Sequence, residues 1–92
     1  MIVRIMGEGQ FVVSSALLDS LNEIDNKIVE EVNRGNEERM RETLREMIAL
    51  VKREAIPLNP DEILTSDVII PPKDLKLEEA KRTFTGAGII PD

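Results

Sequence analysis

Any acid–base, nucleophilic or metal chemistry in this 92-residue chain has to be built without histidine or cysteine, since the sequence contains neither. That removes the commonest general base, the commonest transition-metal ligand and every thiolate. The hydroxyls of Ser14, Ser15, Ser20 and Ser66 have no imidazole to activate them, and the lysines lie in polar segments rather than in apolar ones. Carboxylates are what remains. Asn22 and Asp25 interrupt an otherwise apolar helical row, so a carboxylate-lined cleft near them, binding a small ligand or supporting catalysis, is the alternative to a non-catalytic reading. The adjacent pairs Glu30-Glu31 and Asp61-Glu62 diverge on a helix, and no looped D-x-D-x-D-G run exists, so no metal is expected. Gly7-Glu8-Gly9 and Gly86-Ala87-Gly88 lack the third glycine of a dinucleotide fingerprint: Val12 and Pro91 stand there. Both are read as turns, and no cofactor is expected.

Charge narrows the partners. The formal net charge is -6, which argues against a nucleic-acid groove or an anionic membrane surface, because both reward clustered Lys and Arg. Between Ser15 and Arg34 the acids Asp19, Glu23, Asp25, Glu30 and Glu31 face only Lys27 and Arg34, whereas Glu37 to Glu54 is balanced. The first of these segments is the acidic one, and Glu23, Glu30 and Glu31 are its candidate protein-binding residues. The balanced second segment would make a poor recognition helix for a transcriptional regulator. The longest apolar run, Met47 to Val51, is too short to span a bilayer. With no cysteine and no secretion signal at Met1, the expected compartment is the cytoplasm.

These residues must be positioned by elements that the patterning predicts. Leu17, Leu21, Ile24, Ile28 and Val32, then Met40, Leu44, Met47, Ile48 and Val51, recur at helical spacing over Ser15 to Ala55. Gly35 can end the first helix in a left-handed conformation and Asn36 can cap the second. Glu37 with Arg41 and Glu42 with Arg45 have the spacing of ion pairs. Met47 to Val51 is apolar all round and needs covering on two sides, by the first helix and the sheet or by a second copy of the chain.

Ile2–Met6 and Phe11–Val13 predict a β-hairpin around Gly7 to Gln10, with Arg4 facing solvent. Asn59-Pro60-Asp61-Glu62 predicts one helical turn reaching about Thr65. Val68-Ile69-Ile70, stopped by Pro71-Pro72, predicts a third strand. Leu75 to Phe84 predicts a last helix, capped by Asp74, with Leu77, Ala80, Lys81 and Phe84 inward and Glu78 paired with Arg82. Ile89-Ile90-Pro91 would dock as an apolar tail. The expected fold is α+β in one domain: an antiparallel helical hairpin on a small sheet, with a short C-terminal helix. Asn22 and Asp25 are expected to tie the first helix to the Gly7 to Gln10 turn.

The run Ile5-Met6-Gly7-Glu8-Gly9-Gln10-Phe11, followed by Leu17-Leu18, Leu21-Asn22 and Asp25, resembles the PspA-associated family called PspAA. Pro57-Leu58, Ser66-Asp67 before an apolar triplet and Pro71-Pro72, Leu77-Glu78-Glu79 and Gly88-Ile89-Ile90-Pro91 carry the resemblance to the C-terminus. Gly7, Glu8, Gly9, Gln10, Asn22 and Asp25 match its most recognisable positions and are read as structural. Lys76 departs from a pattern that favours a small hydroxyl cap there. The resemblance implies a small protein whose gene lies beside that of phage-shock protein A, a helical membrane-remodelling scaffold, and a role near the envelope-stress system; it implies no established catalytic residues. It makes a PspA-like protein the expected partner.

Overall fold

Alternating apolar residues and a glycine turn build the start of the sheet. In the computed structural model, which describes residues 1–86 and 88–91, β1 (Ile2–Ile5) and β2 (Gly9–Val12) pair antiparallel, with Val3 opposite Phe11 and Ile5 opposite Gly9. Val3 and Ile5 point into the core and are fully buried. Gly7 and Gly9 take φ of +84° and +100°, where a side chain is strained although nothing would crowd it. The glycines are therefore needed for backbone conformation.

The helical hairpin closes on local signals. α1 (Ser15–Arg34) is capped by the Ser14 hydroxyl, which accepts from Leu17 N at 3.2 Å. At its end Gly35, at φ +72°, donates to Val32 O, and Asn36 N donates to Glu31 O, both at 3.0 Å. Those two bonds seal a helix over a left-handed residue. Asn36 then caps α2 (Glu37–Glu54) by accepting from Arg39 N at 3.1 Å. Leu21, Ile28, Met40, Leu44, Met47 and Val51 are fully buried between the elements. The Met47 to Val51 segment is covered by this chain itself, with Ala49 turned to solvent. Glu37 pairs with Arg41 at 3.6 Å, while Glu42 pairs with Arg39.

Beyond α2 come β3 (Ile56–Pro57), β4 (Val68–Ile70) and α3 (Leu77–Thr83). The sheet order is β3-β2-β1-β4, with β3 antiparallel to β2 and β4 parallel to β1. β4 is the expected third strand. β3 is a fourth, and its Pro57 is tolerated at a sheet edge, where a missing N–H removes no ladder bond.

Four local expectations are corrected. Asn59–Glu62 forms a turn and no helix: Glu62 N donates to Asn59 O and Asp61 N to Asn59 Oδ1. A second turn is forestalled because the Gln10 side chain engages the backbone of Leu64, accepting from its N at 3.3 Å and donating to its O at 2.6 Å. The last helix starts at Leu77, since Leu75 N is spent in a turn to Pro72 O. Asp74 is not its cap; Lys76 holds the cap position without a side-chain bond. Lys81 is exposed, and Ala80 and Phe84 carry the buried face.

Candidate functional site

The Met6 to Gln10 turn is locked into its surroundings by its polar side chains. Glu8 forms an ion pair with Lys52 of α2 at 2.5 Å, half-exposed on both sides. Gln10 is buried, and besides Leu64 it donates to Ser66 Oγ at 2.8 Å. Asp67 completes the arrangement, accepting from Ile2 N at 2.8 Å. These contacts fasten the segment after β3 across the sheet, which is a positioning task for Gln10.

Asp25 does something the sequence did not indicate. Its carboxylate is fully buried and accepts from Ile89 N at 3.1 Å through Oδ1 and from Ile90 N at 2.9 Å through Oδ2. Gly88, at φ +89°, lies so close that an added Cβ would fall 2.6 Å from the Asp25 Cγ. The expected tie from Asp25 to the Gly7 turn is therefore wrong. In that turn Glu8 N is bonded to Ile5 O and Met6 N to Ile70 O, whereas the end of the chain presents two amides that need an acceptor. Asn22 sits half-buried one turn earlier on α1. Since Asp25 is sealed against backbone, it presents no accessible acid to a cleft. The turn around Gly86 and Gly88 forms as expected, with both at positive φ and Gly88 N bonded to Thr85 O; Ala87 lies outside the described residues.

The candidate acidic surface divides in two. Glu23 and Glu30 are exposed on α1, in line with Asp19, and among the described residues none of the three forms an ion pair. Glu31 is buried and pairs with Arg34 at 2.9 Å. Three positions after Ile28 it falls on the core side of the helix, so it drops out of the surface set.

A family described as PspA-Associated protein matches residues 1–92. The chain belongs to the PspA-associated protein family. No curated protein and no solved structure matches it. For this PspA-associated chain the motif positions Gly7, Gly9, Gln10 and Asp25 all have structural employment. Among the described residues no helix is long and apolar enough to cross a membrane.

Two features escaped sequence reasoning. One is Glu37, whose Oε2 accepts from Leu77 N at 2.7 Å, while Arg41 Nε donates to Leu75 O at 2.9 Å. The first turn of α2 thus supplies the cap that Lys76 cannot. The other is a cleft of about 260 Å³ on the sheet surface, with Arg4, Gln10, Leu58, Pro60, Glu62 and Ile63 in its walls.

Proposed function

We propose that this protein is a non-catalytic interaction module of the phage-shock envelope-stress system, which works in the cytoplasm by binding PspA or another component. It reaches the membrane only through that partner. The family description supports the partner. The observation that carries the mode is the exposed row of Asp19, Glu23 and Glu30 along α1, which forms no ion pair among the described residues. Such a row attracts a basic stretch of a partner and raises the association rate more than the affinity, with an effect that fades as salt rises. The competing reading is a small-ligand or enzymatic cleft near Asn22 and Asp25; against it counts that the Asp25 carboxylate accepts from Ile89 N and Ile90 N.

Calorimetry of the purified chain with the PspA encoded in the same genome tests the proposal. Binding is expected at low salt and should weaken about tenfold in E23K/E30K, whose folded state is unaffected because both positions are solvated. Absence of binding at tens of micromolar, with both proteins folded, overturns a direct PspA interaction.

A further inference from the structure

The sheet has one face against the helices and one turned away from them. Register places Ile56, Val12 and Ile2 in one row of that second face, and Gln10, Arg4 and Ile69 in the next. A sheet that meets water on one side alternates to polar residues there. Gln10 and Arg4 follow that rule here, but Ile69 and Ile56 depart from it at 53% and 68% exposed, and Met6, just past β1, is 50% exposed. The segment that Gln10 pins across the face extends the apolar surface instead of closing it, since Ile63 is 84% and Leu64 46% exposed. Neighbouring exposed apolar groups on this scale mark an interaction site.

The charges around the face say what fits. Arg4 lies within it, Asp67 is bonded to Ile2 N beside it, Glu62 lines the cleft and Asp61 precedes Glu62 in the same turn, and all three acids are exposed. A second copy would bring the same acids together from a chain that already carries -6, and an anionic membrane would be repelled. We propose that this face docks a basic amphipathic helix of a partner protein, its apolar stripe on Ile2, Ile56, Ile69 and Leu64 and its Lys or Arg residues against Asp61, Glu62 and Asp67. A helix of about 14 residues, roughly 21 Å long, is long enough to run along the Ile56, Val12 and Ile2 row beside the segment that crosses over Gln10 and carries Leu64. The cleft between Leu58 and Ile63 receives one anchoring side chain. The inference rests on the interaction-module reading but not on α1, which faces elsewhere.

The probe is a helical peptide of about 18 residues with leucine on one face and lysine on the other, compared with an analogue carrying glutamate in place of lysine. The lysine peptide is expected to bind in calorimetry and the glutamate peptide not to. I56S/I69S should weaken binding about tenfold or more with an unchanged melting curve, and E23K/E30K should weaken it far less at physiological salt, where long-range attraction is screened. D61K/E62K, in an exposed turn, provides a second variant and should weaken binding of the lysine peptide. Equal binding of the two peptides, no binding of either, or parent-like binding by both face variants overturns the proposal. So does light scattering that finds a dimeric parent and a monomeric I56S/I69S, because the face then belongs to a second copy. If PspA binding is lost in E23K/E30K while the face variants bind PspA and peptide as the parent does, the sheet proposal fails and the α1 reading stands. Peptide binding that depends on Ile56 and Ile69, with no PspA binding, leaves the opposite result.

Discussion

The first 54 residues and the remainder of the chain are held together in different ways. The helical hairpin ends its own helices, with Ser14, Gly35 and Asn36 each satisfying backbone groups a few residues away. The later part has a two-residue strand, a three-residue strand and a seven-residue helix, all too short to persist alone. Side chains from the first part hold it: Gln10 on Leu64 and Ser66, Glu37 on Leu77, Asp25 on Ile89 and Ile90. Several polar residues in the hairpin therefore serve the rest of the chain. Asp25, the fully buried acid of the helical hairpin, is an acceptor for distant backbone.

The largest effect should come from attacking the self-sufficient part. Leu44 is fully buried where α2 packs on α1, and L44D replaces it with an unpaired charge. Truncating a core leucine alone costs about 2 to 5 kcal/mol, and burying the charge adds to that, in a domain whose total stability is of the order of 5 to 15 kcal/mol. Circular dichroism should show loss of cooperative unfolding. Near-parent melting would mean that the borrowed contacts, and not the hairpin, hold the fold.

Next is the tail latch. D25A leaves the amides of Ile89 and Ile90 without their acceptor at a fully buried site, and hydrogen bonds to a charged group contribute about 1.5 to 3 kcal/mol each. A loss of about 3 kcal/mol is expected by denaturant titration, less in D25N, which retains one acceptor oxygen. G88A should mimic part of it, because its Cβ would collide with the same carboxylate. The comparison sharpens if amide exchange accelerates at Ile89 and Ile90 well before it does at Leu21 or Leu44. Uniform acceleration would show that tail and hairpin unfold as one unit.

The same division explains what could be read from the sequence. Leu21, Ile28, Leu44 and Val51 repeat at the period of a buried helical face, and Gly35-Asn36 states the join locally, so the hairpin was legible. Asp25 and its partners are 64 and 65 residues apart, Gln10 and Leu64 54, and Glu37 and Leu77 40. No window of sequence contains both ends of such a bond. Asn59 to Glu62 carried sound local signals for a helix start, which lost to a side chain on β2. Of the acidic surface, Glu23 and Glu30 were legible from the apolar stripe they avoid, and Glu31 was misplaced because charge was weighed ahead of helical phase. The second face of the sheet is legible in Ile2, Met6 and Val12, but Arg4 between them is equally what a solvated strand side carries, so the sequence alone does not separate the two.

The smallest expected effect distinguishes a borrowed cap from a local one. Glu37 is partly exposed and acts twice, accepting from Leu77 N and pairing with Arg41. Loss of a helix cap costs about 0.5 to 2 kcal/mol, and the exposed Arg41 pair adds little. E37A should therefore lower stability by about 1 kcal/mol, a fall in Tm of roughly 4 to 8 °C for a domain of this size. The loss should be concentrated in α3, with faster exchange at Leu77 and little change at Met40 or Leu44. K76S gives α3 a cap of its own, but a hydroxyl there reaches the second or third amide of the helix, leaving that of Leu77 to Glu37. The two changes act on different donors and should be nearly additive, so K76S stabilises the parent and E37A by similar amounts. If Glu37 serves only the dipole of its own helix, E37A will loosen the start of α2 and leave Leu77 exchange untouched, and the distinction between a self-capped hairpin and a dependent C-terminal part fails at this point.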